Sequence, residues 1–108
     1  MTTLRPQPMI RNAERSDLAR ILELIHALAV YEKEPHAVVA TANDLDQALF
    51  SDRPKAHALM CDLNGINVGF ALYFYNFSTW RGKHGIFLED LFIEPGYRGQ
   101  GAGLALLR

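Results

Sequence analysis

Leu18, Ile21, Leu22, Ile25, Leu28 and Ala29 recur at spacings of three and four, which lays one apolar stripe along a helix from Ser16 to about Val30. Ser16 stands where an N-cap belongs, with Asp17 in the first turn. Tyr31-Glu32-Lys33-Glu34-Pro35 closes this helix, because a proline ring drives the residue before it out of the helical region. Thr41-Ala42-Asn43-Asp44 reads as a capping sequence, and Leu45, Ala48, Leu49 and Phe50 give a second, shorter helix. It ends at the turn Ser51-Asp52-Arg53-Pro54. Met9-Ile10-Arg11 is a first edge strand.

The second half changes period. Ala56 to Leu63 is apolar enough for a strand, and Asn64-Gly65 is a strong hairpin signal that returns the chain through Ile66 to Tyr75. Val68 to Tyr75 is nearly continuous in apolar and aromatic residues, which implies cover on both faces and makes the tyrosines there core residues. Asn76 to His84 reads as a polar connection whose Trp80 packs on the sheet, and Ile86 to Ile93 as the next strand. Leu104 to Leu107 then opens a further helical pattern. Strand, two helices, three strands and a helix predict an α+β (α/β) domain, with a mixed, mainly antiparallel sheet flanked by helices.

At 108 residues the chain is one domain at most. A net charge of −1 offers nothing to a nucleic acid, and no basic amphipathic stretch suggests a membrane surface. Met1 to Pro8 is too short and polar for a signal peptide, and no apolar run is long enough to span a bilayer. Cys61 has no partner for an internal disulfide and reads as a small core residue, so a reducing, cytoplasmic setting is the default. His26, His36, His57 and His84 are scattered without metal spacing, so no metal is expected. The sequence stops at Arg108, where the last helical pattern has only begun, which predicts a domain that is C-terminally incomplete or completed by another chain.

Two features carry chemistry. Glu89 and Asp90 interrupt an otherwise apolar strand, and alternation sends them to opposite faces unless a bulge intervenes. Burying a carboxylate costs several kcal/mol, so Asp90 reads either as a structural ion pair or cap, or as a functional acid. Just beyond, Arg98-Gly99-Gln100-Gly101-Ala102-Gly103 places glycines at alternate positions before a helix, a loop whose bare main chain suits a phosphate or pyrophosphate. It lacks the Gly-Lys-Ser/Thr of a triphosphate loop, and its glycines do not fit Gly-x-Gly-x-x-Gly.

The loop resembles the acetyl-coenzyme A loop of the GNAT acetyltransferases, Gln/Arg-x-x-Gly-x-Gly/Ala. Tyr31-Glu32, Gly69 to Phe74, Ser78 to Lys83 and Leu88 to Ile93 narrow this to the diamine (spermidine/spermine) acetyltransferase branch. The resemblance implies that Tyr31, Glu32 and Glu89 contact the amine, with Glu89 as recognition and proton-relay acid. It implies that Leu91, Phe92 and Ile93 meet the pantetheine arm and thioester through main-chain groups. Arg98, Gly99, Gln100, Gly101, Ala102, Gly103 and Leu104 would then hold the pyrophosphate of acetyl-CoA. The reaction implied is direct attack by a small primary amine, which has a pKa of about 10 and must first lose a proton. The family's tyrosine proton donor belongs to a later segment and matches none of Tyr31, Tyr73, Tyr75 and Tyr97, so the 108 residues alone are expected to be inactive or weak. A catalytically silent coenzyme-binding or subunit-association domain, or transfer to a protein amine, are the alternatives. A homodimer is expected from the resemblance and from an uncovered sheet edge.

Overall fold

The structure, a computed structural model, describes residues 7–99 and 101–107. Strand β1 (Met9–Asn12) leads through a 3-10 turn (Arg15–Asp17) into helix α1 (Leu18–Tyr31), and α2 (Ala42–Phe50) follows. Strands β2 (His57–Leu63), β3 (Ile66–Ser78) and β4 (Lys83–Ile93) come next, then a 3-10 turn (Pro95–Tyr97) and a short helix α3 (Ala102–Leu106). The described strands form one open sheet in the order β1-β2-β3-β4, antiparallel at every step rather than mixed.

Ser16 does not cap α1; it lies inside the preceding turn, and Asp17 stands at the N-cap position with its carboxylate turned back toward β1 rather than into the helix. The Asp17 carboxylate accepts from the Glu14 main-chain N–H at 2.8 Å and from the Arg11 guanidinium at 2.7 and 2.9 Å. Arg11 also donates to Asp62 at 2.8 Å, so one cation joins β1, β2 and the helix entry, which a serine hydroxyl cannot do. These hydrogen bonds from Arg11 hold the Asp17 carboxyl below its ordinary range.

The far end of α1 closes before Pro35 acts. Lys33 adopts a left-handed conformation (φ 63°), and the N–H groups of Lys33 and Glu34 donate to the carbonyls of Val30 and Ala29 at 3.0 and 2.8 Å. This is a Schellman closure with lysine in the place glycine usually takes. It leaves Tyr31 and Glu32 at the tip of the helix. At α2 the capping box forms as the sequence predicts: Thr41 Oγ1 accepts from the Asp44 N–H at 3.2 Å, and the Asp44 carboxylate accepts from the Thr41 N–H at 2.8 Å.

Two layers of core sandwich the sheet. Ile21, Leu24, Leu45 and Leu49 of the first two helices pack on Ala58, Met60, Phe70, Leu72 and Phe92. On the other face Ala102 and Leu106 of α3 pack with Cys61, Leu63, Val68, Ala71 and Ile93. Arg20 fastens α1 to the sheet, donating to the Asn67 side chain and carbonyl at 2.9 Å each and pairing with Glu94 at 3.5 Å.

The covered part of the sheet ends earlier than the apolar run predicts. Burial stops at Leu72, Tyr73 and Phe74 are half-buried, and Tyr75 and Phe77 are exposed. The expected connection over Asn76 to His84 is mostly strand, because β3 and β4 continue to a turn at residues 79–82. Trp80 lies on that turn, 98% exposed, instead of packing on the sheet. The helices are too short to follow the two strands outward, so the outer half is a two-stranded arm.

Where the arm leaves the sheet, β4 carries a bulge. Leu72 faces Asp90 and Tyr73 faces Leu88, so Glu89 is the extra residue. The bulge inverts the alternation of the strand. Phe92 packs on the helix α1 layer and Ile93 on the α3 layer, yet beyond the bulge the even-numbered Ile86 and Leu88 face the α3 side with Tyr73.

Gly69 sets how closely β3 and β4 approach at the other end of this pairing. A Cβ on Gly69 would lie 2.4 Å from both the Phe92 carbonyl oxygen and the Ile93 Cδ1 atom. The backbone oxygen cannot give way without moving the strand. Gly69→Ala is therefore expected to destabilise the fold by about 1–3 kcal/mol in chemical denaturation, the range for overpacked cores.

Candidate active site

Beyond Asp90, β4 is the edge of the described sheet. The Glu94 N–H donates to the Val68 carbonyl at 2.9 Å, and because antiparallel pairs alternate, the main-chain groups of Leu91 and Ile93 point away from β3. The Ile93 carbonyl is already engaged, accepting from Arg98 Nε at 2.9 Å. Outward N–H groups on Leu91 and Ile93 and the outward Leu91 carbonyl are left for a ligand.

The chain turns away from this edge through Pro95–Tyr97 into the glycine loop. Gly99 and Gly101 both have positive φ, 83° and 81°, and nothing lies within 4 Å of where their side chains would begin. Positive φ at Gly101 followed by the helical Ala102 turns successive N–H groups to one side, as in anion-binding loops. Ala102 and Leu106 anchor the loop in the core, while Leu104 is exposed. Leu91, Ile93, Arg98, Gly99, Gly101, Ala102, Gly103 and Leu104 line one open groove of about 350 Å³. Among the described residues, no side chain closes the loop. Gln100, expected in the same group, lies outside the described residues.

The acids come together from two elements. Glu32 at the tip of α1 and Glu89 on the bulge bring their charges to bear on Asp90, which is recessed beside them. Glu32 and Glu89 are exposed, whereas Asp90 is half-buried. Burial pushes the Asp90 carboxyl above its ordinary value, and the charges of Glu89 and Glu32 raise it further. Sequence reasoning singled out Glu89 and left Asp90 undecided. The bulge releases Glu89 to solvent, while Asp90, opposite Leu72 and two residues before Phe92, keeps to the α1 side of the sheet.

Tyr31, expected among the amine contacts, stands 61% exposed with Arg98 over its ring. The guanidinium carbon is 4.5 Å from the Tyr31 ring centroid and 5.5 Å from that of Phe92, and the two rings meet edge to face at 6.4 Å. Nothing in the sequence pattern links residues 31 and 98. Phe92 sends its side chain into the core and, by the same alternation, its main-chain groups toward Phe70 on β3, so of the three residues expected along the thioester only Leu91 and Ile93 turn main-chain groups outward.

A helix-flanked antiparallel sheet ending in an open glycine loop defines the class of domain. The Acetyltransferase (GNAT) family matches residues 17–108, and the chain belongs to that family. The chain is 36% identical over 108 residues to the thialysine N-epsilon-acetyltransferase of Bos taurus, covering 93% of this chain and 63% of that protein. It is 36% identical over 106 residues to the human spermidine/spermine N(1)-acetyltransferase-like protein 1, covering 92% of this chain and 15% of that one. Among solved structures, an aminoglycoside acetyltransferase from an uncultured soil metagenomic sample superposes with a TM-score of 0.74 at 17% identity, over 93% of this chain and 64% of that one. That likeness is one of fold. The chain thus spans somewhat under two-thirds of the thialysine acetyltransferase it matches.

Two outcomes follow from the geometry. Since the Asp90 carboxyl is raised above 3.8, the folded chain binds its proton more tightly than the unfolded chain. Its contribution to stability therefore falls as pH rises from 3.8 through the folded value. Asp90→Asn is expected to raise the melting temperature at neutral pH and to leave it nearly unchanged well below 3.8. In the loop, Gly101→Ala forces a left-handed alanine and is expected to cost about 1–2 kcal/mol. Gly103→Ala, whose Cβ would meet only Ile93 Cγ1 at 3.9 Å, is expected to fold normally. Thermal melts of both variants check the contrast.

Proposed function

We propose that this chain carries the acetyl-CoA and amine sites of an N-acetyltransferase that acts on a small primary amine, either a diamine or polyamine or an amino-acid-like amine. The observation that carries this reading is the distance in sequence between two dissimilar sites on one strand. The carboxylates of Glu89 and Asp90 adjoin Leu91 and Ile93, whose outward main-chain groups lead directly to the glycine loop. A cation drawn to the recess is thereby brought beside a thioester lying along the β4 edge. The relatives support the amine, since they are named for the acetylation of thialysine, of spermidine/spermine and of L-ornithine.

In this reading the diphosphate of acetyl-CoA rests on the loop main chain from Gly99 to Gly103, with Arg98 at its start and the exposed Leu104 along its side. The pantetheine arm pairs with the free groups of Leu91 and Ile93. Outward N–H groups there orient the thioester carbonyl and stabilise the oxyanion as the amine attacks. Glu32 and Glu89 attract the ammonium ion. Asp90, whose basicity is raised by burial, is better matched than an ordinary carboxylate to accept the amine proton, directly or through water. Attack by the free amine on the thioester carbon forms the amide and expels coenzyme A as thiolate, with no covalent enzyme intermediate. Pairing of two copies and a cytoplasmic setting belong to the same reading.

A thiol-release assay with acetyl-CoA and a panel of diamines, amino acids and peptides tests it. Amine-dependent release with diamines or ornithine-like amines is expected, and Glu89→Gln should lower kcat/KM for diamines about tenfold while leaving the melting temperature within a few degrees. Coenzyme binding by calorimetry without any turnover would instead mark a silent binding domain. Activity on peptides alone would overturn the small-amine assignment.

A further inference from the structure

Arg98 touches both halves of the site at once. Its Nε–H holds the outward carbonyl of Ile93 on the β4 edge, and its guanidinium sits over Tyr31 with the carbon 4.5 Å from the ring centroid. Phe92 closes the third side at 5.5 Å. The Tyr31 ring is otherwise exposed and stands on the last residue of α1, next to Glu32. Apart from the edge of Phe92, the guanidinium is what fixes the ring among the contacts described.

We infer that Arg98 is a positioning residue for the amine. It pins Tyr31 and the tip of α1 to the β4 edge, and so sets the width of the recess in which Glu32 and Asp90 meet the ammonium ion. This rests on the amine and coenzyme sites proposed above. Arg98 acts on the amine through Tyr31 and on the edge through Ile93, and it transfers no proton. Two properties of the guanidinium matter: a planar face that stacks on an aromatic ring, and an Nε–H in fixed relation to that plane. Lysine keeps the charge but has neither, so Arg98→Lys separates position from electrostatics. That separation is essential, because removing the cation outright would change the field at the amine as well as the position of Tyr31.

The consequence extends to the edge. With the Ile93 carbonyl occupied, the outward groups near the thioester are two donors and one acceptor. Losing the arginine would restore a free acceptor beside the donors that orient the carbonyl.

The experiment is a double-mutant cycle on the unaltered full chain, Arg98→Lys, Tyr31→Leu and the pair together. It is read first as calorimetric affinity for 1,5-diaminopentane without coenzyme, and then as KM for amine and for acetyl-CoA. Arg98→Lys is expected to weaken amine binding about two- to fivefold, the worth of one exposed cation–π stack, with the melting temperature nearly unchanged. In the Tyr31→Leu background the same change should have no further effect on amine binding. The ring resonances of Tyr31 should shift and narrow in Arg98→Lys as the ring gains freedom. Additive losses, or a change confined to the KM for acetyl-CoA, would overturn the inference while leaving the proposed function standing. If the unaltered chain binds no diamine at all, the amine site falls and this inference with it. Should Arg98→Lys melt early, the Tyr31→Leu variant still decides: unchanged diamine affinity there shows that the stack does not set the recess.

Discussion

The pairing of β3 with β4 is the constraint on which the rest of the molecule depends. Gly69 lets the strands approach at one end, and the Glu89 bulge releases them from strict register at the other. Between those points lie Asp90, Leu91, Phe92 and Ile93. They supply an acid, two outward-facing stretches of main chain and anchors for both core layers. A sheet without the bulge would bring Leu88 and Ile86 to the same side as Asp90 and turn the arm over relative to the covered sheet. Without the glycine, β4 would stand too far from β3 for the edge to lead into the loop.

Helix α1 is held to this frame at both ends. Near its entry, Asp17 is bound by Arg11, which also reaches Asp62 on β2. Along its length Arg20 reaches Asn67 and Glu94, and at its tip Tyr31 lies beneath Arg98. The second and third of these links meet the chain on either side of the 3-10 turn Pro95–Tyr97, so the helix and the glycine loop are registered to each other through a segment only a few residues long. That is how groups far apart in sequence come to line one recess.

Much of this was legible before any coordinates. The period of Leu18 to Ala29, the capping box at Thr41 and the Asn64-Gly65 hairpin are local signals, fixed by neighbours three or four residues away, and they held. The loop was legible for the same reason, since alternate glycines state their own backbone needs. What stayed hidden was set at long range. Ser16 looked like a cap because Arg11, which binds Asp17 and Asp62 together, reaches them only in the folded chain. Tyr75 and Trp80 looked like packed residues because apolar character does not reveal how far a covering helix extends. The stacking of Tyr31 under Arg98 joins two motifs that sequence reasoning had assigned to different ligands.

The inverted alternation across Glu89 bears on which changes in chain length this domain can absorb. Leu88 and Leu91 both serve the α3 side only because one residue is left over between them. The side chain at 89 is open to solvent, so the fold tolerates other residues there, yet the position itself cannot be removed, since a deletion would rotate either the arm or the ligand-facing edge by half a turn. For the fold, chain length outweighs residue identity at that point, and natural or engineered indels should be confined to the far tip at residues 79–82.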